Sequence, residues 1–170
     1  MTVAELDGMT GPQAGEVLRS CCGASRWVEA MIASRPFGDR EQVLSTSARI
    51  WRALEPADWK EAFSYHPRIG ESKGALPQSE PGQAWSAAEQ AGVRAAGIAG
   101  RRALAETNRE YEARFGYIYV VCAAGKSAEE LLALARIRLS NDPETELTVA
   151  SEEQLKITRL RLEKLLASSE

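Results

Sequence analysis

The chain holds one histidine, His66, set in the run Tyr65-His66-Pro67-Arg68-Ile69-Gly70-Glu71. An imidazole titrates near neutral pH, so it can give or take a proton in a reaction. Pro67 biases His66 toward an extended backbone and so helps to fix where the ring points. The plain alternative is a surface or hydrogen-bonded histidine at a helix end. A second cluster follows downstream, Ser86-Ala87-Ala88-Glu89-Gln90. Read structurally, Ser-x-x-Glu is a capping box that satisfies the open N–H groups at the start of a helix. Read chemically, the same helix N-terminus offers N–H groups and a positive dipole end to an anionic or carbonyl-rich ligand. Glu89 and Gln90 then add an acceptor and an amide.

The third candidate is an arginine in Lys156-Ile157-Thr158-Arg159-Leu160-Arg161-Leu162. With Leu155 at zero and about 100° per residue, Arg159 falls at about 40°, beside Lys156 and Glu163. Arg161 falls at about 240°, between Ile157 and Leu165. A charge among apolar neighbours is costly unless it is paired. Arg161 is therefore either a core salt bridge or an anion-binding residue, and Arg159 is expected to face water.

Two further features point to no chemistry. Gly125-Lys126-Ser127 echoes a phosphate-binding loop, but the glycine such a loop needs upstream is missing, since position 120 is valine. Cys122 stands in an apolar run and reads as a small buried hydrophobe rather than a nucleophile.

The elements that must position these residues are helical. Gly11 to Cys22 carries apolar residues at helical spacing, with Gly23 as its expected stop. Ser25 is expected to cap a helix over 26–34, which must end before Pro36. Asp39 is expected to cap a third, in which Val43, Leu44, Ser47, Ile50, Trp51 and Leu54 mark one face. Pro56 stops that helix and starts a short one through Phe63. Residues 69–83 read as a long loop, of the kind that is often functional. A long helix is expected from about Ser86 to Arg114, weakened at Gly92, Gly97 and Gly100. Residues 117–123, Tyr-Ile-Tyr-Val-Val-Cys-Ala, favour an extended backbone, but no second strand pairs with them. They are expected to form one short buried extended segment between helices. Ser127 to Glu130 is a capping box that opens a helix to about Leu139, and Asp142-Pro143 caps and starts the last, to about Ala167. The fold class is thus all-α.

Composition bounds the rest. At 170 residues the chain is expected to form one domain over 1–170, large enough to bury a core without metal or disulfide staples. Hydrophobic residues at 44% and charged residues at 26% describe a globular chain. A net charge of −3 offers no basic face for nucleic acid. The longest apolar run, 117–125, is about nine residues where a membrane helix needs about twenty. The first ten residues show no signal peptide, and the last four are no peroxisomal address. Three cysteines, two of them adjacent, make a poor disulfide framework, which fits a reducing cytoplasm. One histidine and no Cys-x-x-Cys pair give no expectation of a structural metal.

In order along the chain stand 66–71 (His-Pro-Arg-Ile-Gly-Glu), 86–90 (Ser-Ala-Ala-Glu-Gln), 115–123 (Phe-Gly-Tyr-Ile-Tyr-Val-Val-Cys-Ala), 125–127 (Gly-Lys-Ser), 141–146 (Asn-Asp-Pro-Glu-Thr-Glu) and Lys156-Ile157 with Arg161-Leu162. This ordered series resembles the 2-oxo-4-hydroxy-4-carboxy-5-ureidoimidazoline (OHCU) decarboxylase family, whose enzymes catalyse the last step from urate to allantoin. The resemblance runs from Phe37 to the C-terminal helix and is weakest over the first ten residues. It implies an all-helical carboxy-lyase of purine degradation that needs no cofactor and no metal and is usually a homodimer. It implies that His66, Glu89 and Arg161 are catalytic. It further implies substrate contacts from Pro67, from Ser86, Ala87, Ala88, Glu89 and Gln90, from Tyr119, Val120, Val121, Cys122 and Ala123, and from Arg161.

The chemistry is consistent with those residue types. The implied substrate carries a carboxylate on a hydroxyl-bearing ring carbon next to a carbon–nitrogen double bond. That bond accepts the electron pair released with carbon dioxide, so the molecule supplies its own electron sink. The site must hold the carboxylate and deliver one proton to one face. An imidazole suits the proton step, an arginine the carboxylate, and backbone amides the ring carbonyls. Two rival readings are a non-catalytic helical binding module that keeps the fold and a purely structural helical domain.

Overall fold

A computed structural model describes residues 1–70, 79–94 and 96–167. Among these residues there are ten α-helices and no β-strand, so the all-α expectation holds. The helices are α1 Val3–Gly8, α2 Gly11–Cys21, α3 Ser25–Ala33, α4 Arg40–Arg52, α5 Pro56–Ser64, α6 Glu80–Glu89, α7 Ala91–Arg94, α8 Ile98–Phe115, α9 Ala128–Arg138 and α10 Pro143–Leu166. Among the described residues no helix is long and apolar enough to cross a membrane. The chain divides into two compact units, Met1–Ala62 with Leu155–Glu170, and Phe63–Gln154.

In the first unit, α1 and α2 open on capping boxes set by Thr2 and Thr10. The six-residue α1 is too short to show a periodic signal and was not expected. The expected glycine stop of α2 is absent. Cys22 is the C-cap in an extended conformation, and Gly23 is not among the left-handed glycines. Ser25 does not cap α3 either; it is the first helical residue. Its N–H and hydroxyl both donate to the Glu61 carboxylate of α5, at 3.1 and 2.7 Å, so the capping oxygens come from a distant element. Asp39 caps α4 as expected, accepting from Gln42 N–H at 2.8 Å. Val43, Ser47, Ile50 and Trp51 are buried, the core face that the spacing predicts.

In the second unit, one core cluster joins Ile69, Val93, Leu104, Tyr111, Tyr119, Val121, Ala123, Leu131 and Ala135. Residues 118–123 are all buried and make no strand, as expected. Ser127 caps α9 with a complete capping box. Asp142 caps α10, accepting from the N–H groups of Glu144 and Thr145 at 3.1 and 3.0 Å.

The long helix expected from Ser86 is instead three pieces. α6 begins six residues earlier, capped by Ser79 with a proline in its first turn, and ends at Glu89. α8 begins only at Ile98, with Gly97 as its N-cap. Gly92 shows why the chain breaks here. A Cβ at that position would lie 2.1 Å from the Lys126 carbonyl oxygen, so the backbone of α7 packs directly on the turn before α9. Of the loop expected over 69–83, residues 71–78 lie outside the described residues, and Glu80 onward is helix.

Candidate active site

The segment that follows α5 is held at every residue from 66 to 70. His66 N–H donates to Phe63 C=O at 3.1 Å and closes the helix end. The half-buried His66 ring meets Gln154 of α10, with Nε2 2.6 Å from the amide Oε1. Pro67 is buried. Arg68 makes a parallel pair with Glu112 of α8, Nε and Nη2 donating to the two carboxylate oxygens at 2.9 and 2.8 Å. One turn earlier on α8, buried Asn108 donates from Nδ2 to Ile69 C=O at 3.0 Å. Gly70, at a φ of +90°, donates its N–H to Gln90 Oε1 at 2.8 Å. A left-handed residue is cheap only for glycine.

Ser86 and Glu89 lie in the last turn of α6, not at a helix start. The capping-box reading is thus overturned by position: the Ser86 carbonyl accepts from Gln90 N–H at 3.3 Å at the end of the helix. The positive-dipole argument falls with it, because a helix C-terminus is the negative end. Both side chains are nonetheless buried, while Ala87 is half-buried and Ala88 exposed. The last turn of α6 thus carries a hydroxyl and a carboxylate on its buried face. Gln90 is the C-cap residue, and with its oxygen engaged by Gly70 its NH₂ group is the part able to donate to a ligand.

The extended segment is fixed from several sides. Arg138 of α9 donates from Nη1 to Val120 C=O at 2.8 Å. Tyr119 donates its hydroxyl to Leu131 C=O at 3.1 Å, and burial pushes its pKa up to about 12 against the pull of Arg138. Cys122 N–H donates to Glu153 at 2.8 Å, and Lys126 Nζ donates to Cys122 C=O at 2.8 Å. Lys126 therefore serves a turn rather than a phosphate. One amide of this stretch, that of Cys122, is already taken by a carboxylate. Burial pushes the Cys122 thiol upward; Lys126 opposes the shift, and Glu153 and Glu89 add to it. The influence of Glu89 brings the end of α6 into electrostatic reach of this segment.

Arg161 belongs to the first unit. It is 3% exposed, against 66% for the side chain of Arg159, so the helical-face assignment of the two arginines holds. Arg161 Nη1 donates to Ser20 C=O at 3.4 Å, and its charge acts on the Cys22 thiol. Arg159 pairs instead with Glu163 at 3.0 Å on the outer face of α10.

Several residues that hold these segments in place were not singled out from the sequence: Arg68, Asn108, Glu112, Arg138, Glu153 and Gln154. For Gln154 a signal was present. The wheel that puts Arg161 at about 240° puts Gln154 at about 260°, a polar residue on the same inner face. The others bind the chain at long separations and leave no local pattern. Among the described residues, no three His, Cys, Asp or Glu side chains are placed to hold a metal ion.

The family model for OHCU decarboxylase matches residues 7–163. The chain is 34% identical over 148 residues to the uric acid degradation bifunctional protein TTL of Arabidopsis thaliana, covering 86% of this chain and 45% of that protein. It is 27% identical over 157 residues to the 2-oxo-4-hydroxy-4-carboxy-5-ureidoimidazoline decarboxylase of Amia calva, covering 89% of this chain and 85% of that one. The chain thus spans less than half of the bifunctional relative and most of the single-function one. Among solved structures, a crystal structure of OHCU decarboxylase in the presence of (S)-allantoin matches with a TM-score of 0.78 and 33% identity, over 90% of this chain and 99% of that chain. A crystal structure of (S)-allantoin synthase shares the fold, with a TM-score of 0.69 and 18% identity over 96% of this chain and 54% of that chain. With a family model matched over nearly its whole length, this chain belongs to the OHCU decarboxylase family.

Proposed function

We propose that this chain decarboxylates 2-oxo-4-hydroxy-4-carboxy-5-ureidoimidazoline to (S)-allantoin, as a cofactor-independent carboxy-lyase of urate degradation. The observation that carries the reading is the match to an OHCU decarboxylase with (S)-allantoin present, over 99% of that chain's length. In the reaction the bond between the ring carbon and its carboxylate breaks, and the electron pair moves into the ring toward the carbon–nitrogen double bond. Carbon dioxide leaves, and one proton is taken up at the ring carbon that becomes the stereocentre. Arg161 holds the departing carboxylate by charge-assisted hydrogen bonds. His66 supplies the proton from one face. Glu89 orients the ureido N–H groups, and Pro67, Ser86, Ala87, Ala88, Gln90 and residues 119–123 shape the remainder of the site. Backbone N–H groups of this buried stretch suit the ring carbonyls as fixed dipoles.

Each tenfold in rate requires only about 1.4 kcal/mol, so one placed acid and a carboxylate clamp are enough to outpace a slow spontaneous reaction. We read the enzyme as a cytoplasmic homodimer; three cysteines, two of them adjacent in sequence, fit the compartment, and light scattering tests the dimer. For the activity, the substrate is made in situ from urate with urate oxidase and hydroxyisourate hydrolase, and circular dichroism follows the product. The expected outcome is rapid growth of one allantoin enantiomer on adding this protein. Racemic allantoin at the spontaneous rate overturns the reading and leaves a binding module.

A further inference from the structure

We infer that Gln154 is a positioning residue for His66, holding a proton on Nε2 so that Nδ1 is the nitrogen that exchanges the proton of the reaction. The contact is short, 2.6 Å between Nε2 and Oε1, and Gln154 is fully buried. An amide oxygen has only lone pairs to offer, so a contact of 2.6 Å with an imidazole nitrogen is attractive only when that nitrogen carries the hydrogen. The neutral ring therefore has its lone pair on Nδ1. The protonated ring keeps the same Nε2–H contact, so Gln154 accepts from Nε2 in both states and neither stage requires the ring to turn. The segment after the ring is held too: the Arg68 side chain pairs with Glu112, Ile69 C=O accepts from Asn108, and Gly70 N–H donates to Gln90. The residue before Gln154 on α10, Glu153, holds Cys122 N–H at 2.8 Å. Two consecutive side chains of one helix thus fix the histidine and the extended segment.

The role in turnover rests on the decarboxylase reading above. The Nδ1–H of the imidazolium forms the new carbon–hydrogen bond, its electron pair returns to Nδ1, and solvent reprotonates the ring. The Nε2 proton stays with Gln154 throughout.

Because His66 is the only histidine, nitrogen-15 NMR of histidine-labelled protein reads its tautomer without assignment. The expected spectrum of the neutral ring has a protonated Nε2 and an unprotonated Nδ1. Gln154→Glu, which keeps an acceptor oxygen, should keep that tautomer. Gln154→Met should lose it to a mixture and lower kcat by about tenfold or more with KM little changed, the mark of a group acting on the transition state. A wild-type ring protonated on Nδ1 instead of Nε2 overturns the inference, as does a folded Gln154→Met variant with wild-type tautomer and kcat. If Gln154→Met fails to fold, the wild-type and Gln154→Glu spectra still decide the matter. Absence of stereoselective product from wild-type protein sinks the decarboxylase reading alone, since the spectrum reports the Gln154 contact without turnover.

Discussion

Arg138 and Glu146 form an ion pair in which Nε and Nη2 of the guanidinium both reach one carboxylate oxygen, at 2.8 and 2.6 Å, with the side chains 8% and 0% exposed. Nearly every other polar valence around the pair is used. Nη1 goes to Val120 C=O, Asn141 donates to the second oxygen of Glu146, and the Tyr111 hydroxyl donates to the first. The guanidinium also lies 4.9 Å from the centre of the Tyr119 ring. A buried pair this well satisfied is strongly coupled, and removing one partner strands the other charge. Glu146→Leu should cost about 3–5 kcal/mol in urea unfolding. The double variant Arg138→Met with Glu146→Leu should lose clearly less than the sum of the two single losses. Additive losses would show that the pair is not coupled.

Gly92 is required by space rather than by torsion. A Cβ there would meet the Lys126 carbonyl oxygen at 2.1 Å, and that oxygen is backbone. Gly92→Ala should therefore cost about 1–3 kcal/mol, the range of an overpacked site. Gly8, at the end of α1, has nothing within 4 Å of its added Cβ. Gly8→Ala should change stability by less than about 0.5 kcal/mol. Equal melting temperatures for the two variants would contradict the close approach at α7.

The two arginines of α10 separate stability from activity. Arg159 makes an exposed i, i+4 pair with Glu163, and such pairs contribute little. Arg159→Ala should shift stability by less than about 0.5 kcal/mol and leave turnover alone. Arg161→Lys should impair turnover, because a point charge does not reproduce a planar fork. Arg161→Met should abolish the thermal shift given by allantoin while keeping the fold. An inactive Arg159→Ala beside an active Arg161→Lys would refute the assignment.

Glu89 can be tested free of its capping interpretation, since it ends α6 rather than starting a helix. Glu89→Gln keeps the shape and removes the charge. We expect an unchanged melting temperature and a loss of turnover of about 10²-fold or more. Full activity in this variant would remove Glu89 from the reaction.

Cys22 links stability to pH. Burial pushes its thiol from 9.0 to about 11 in the folded chain, opposed by a backbone hydrogen bond at Ala24 and by Thr158 and Arg161. The folded state therefore holds this proton longer than the unfolded one. Its contribution is complete below pH 9.0 and is lost as pH rises toward about 11. Cys22→Ala should flatten the fall in unfolding free energy over that window, measured by urea titration at several pH values. An unchanged slope would mean that other groups govern it.

The all-helical class, the starts of α4, α9 and α10, the buried face of α4 and the opposite faces of Arg159 and Arg161 were all legible in the sequence. Each depends on residues within a turn or two: a capping side chain, a proline that cannot continue a helix, or apolar side chains repeating at three and four. His66, Glu89 and Arg161 were named together by the family resemblance of motifs spread along the whole chain, not by any local pattern. Tertiary structure decided what local pattern could not carry. Ser-Ala-Ala-Glu over 86–89 has the spelling of a helix start, but the close approach at Gly92 and a cap at Ser79 make it a helix end. Ser25 looks like a cap, yet Glu61, 36 residues away, supplies the oxygens. His66 finds Gln154 across 88 residues. A hydrogen bond acts over about 3 Å of space and has no term for distance along the chain, so the partner that fixes the histidine is settled only once the helices have packed.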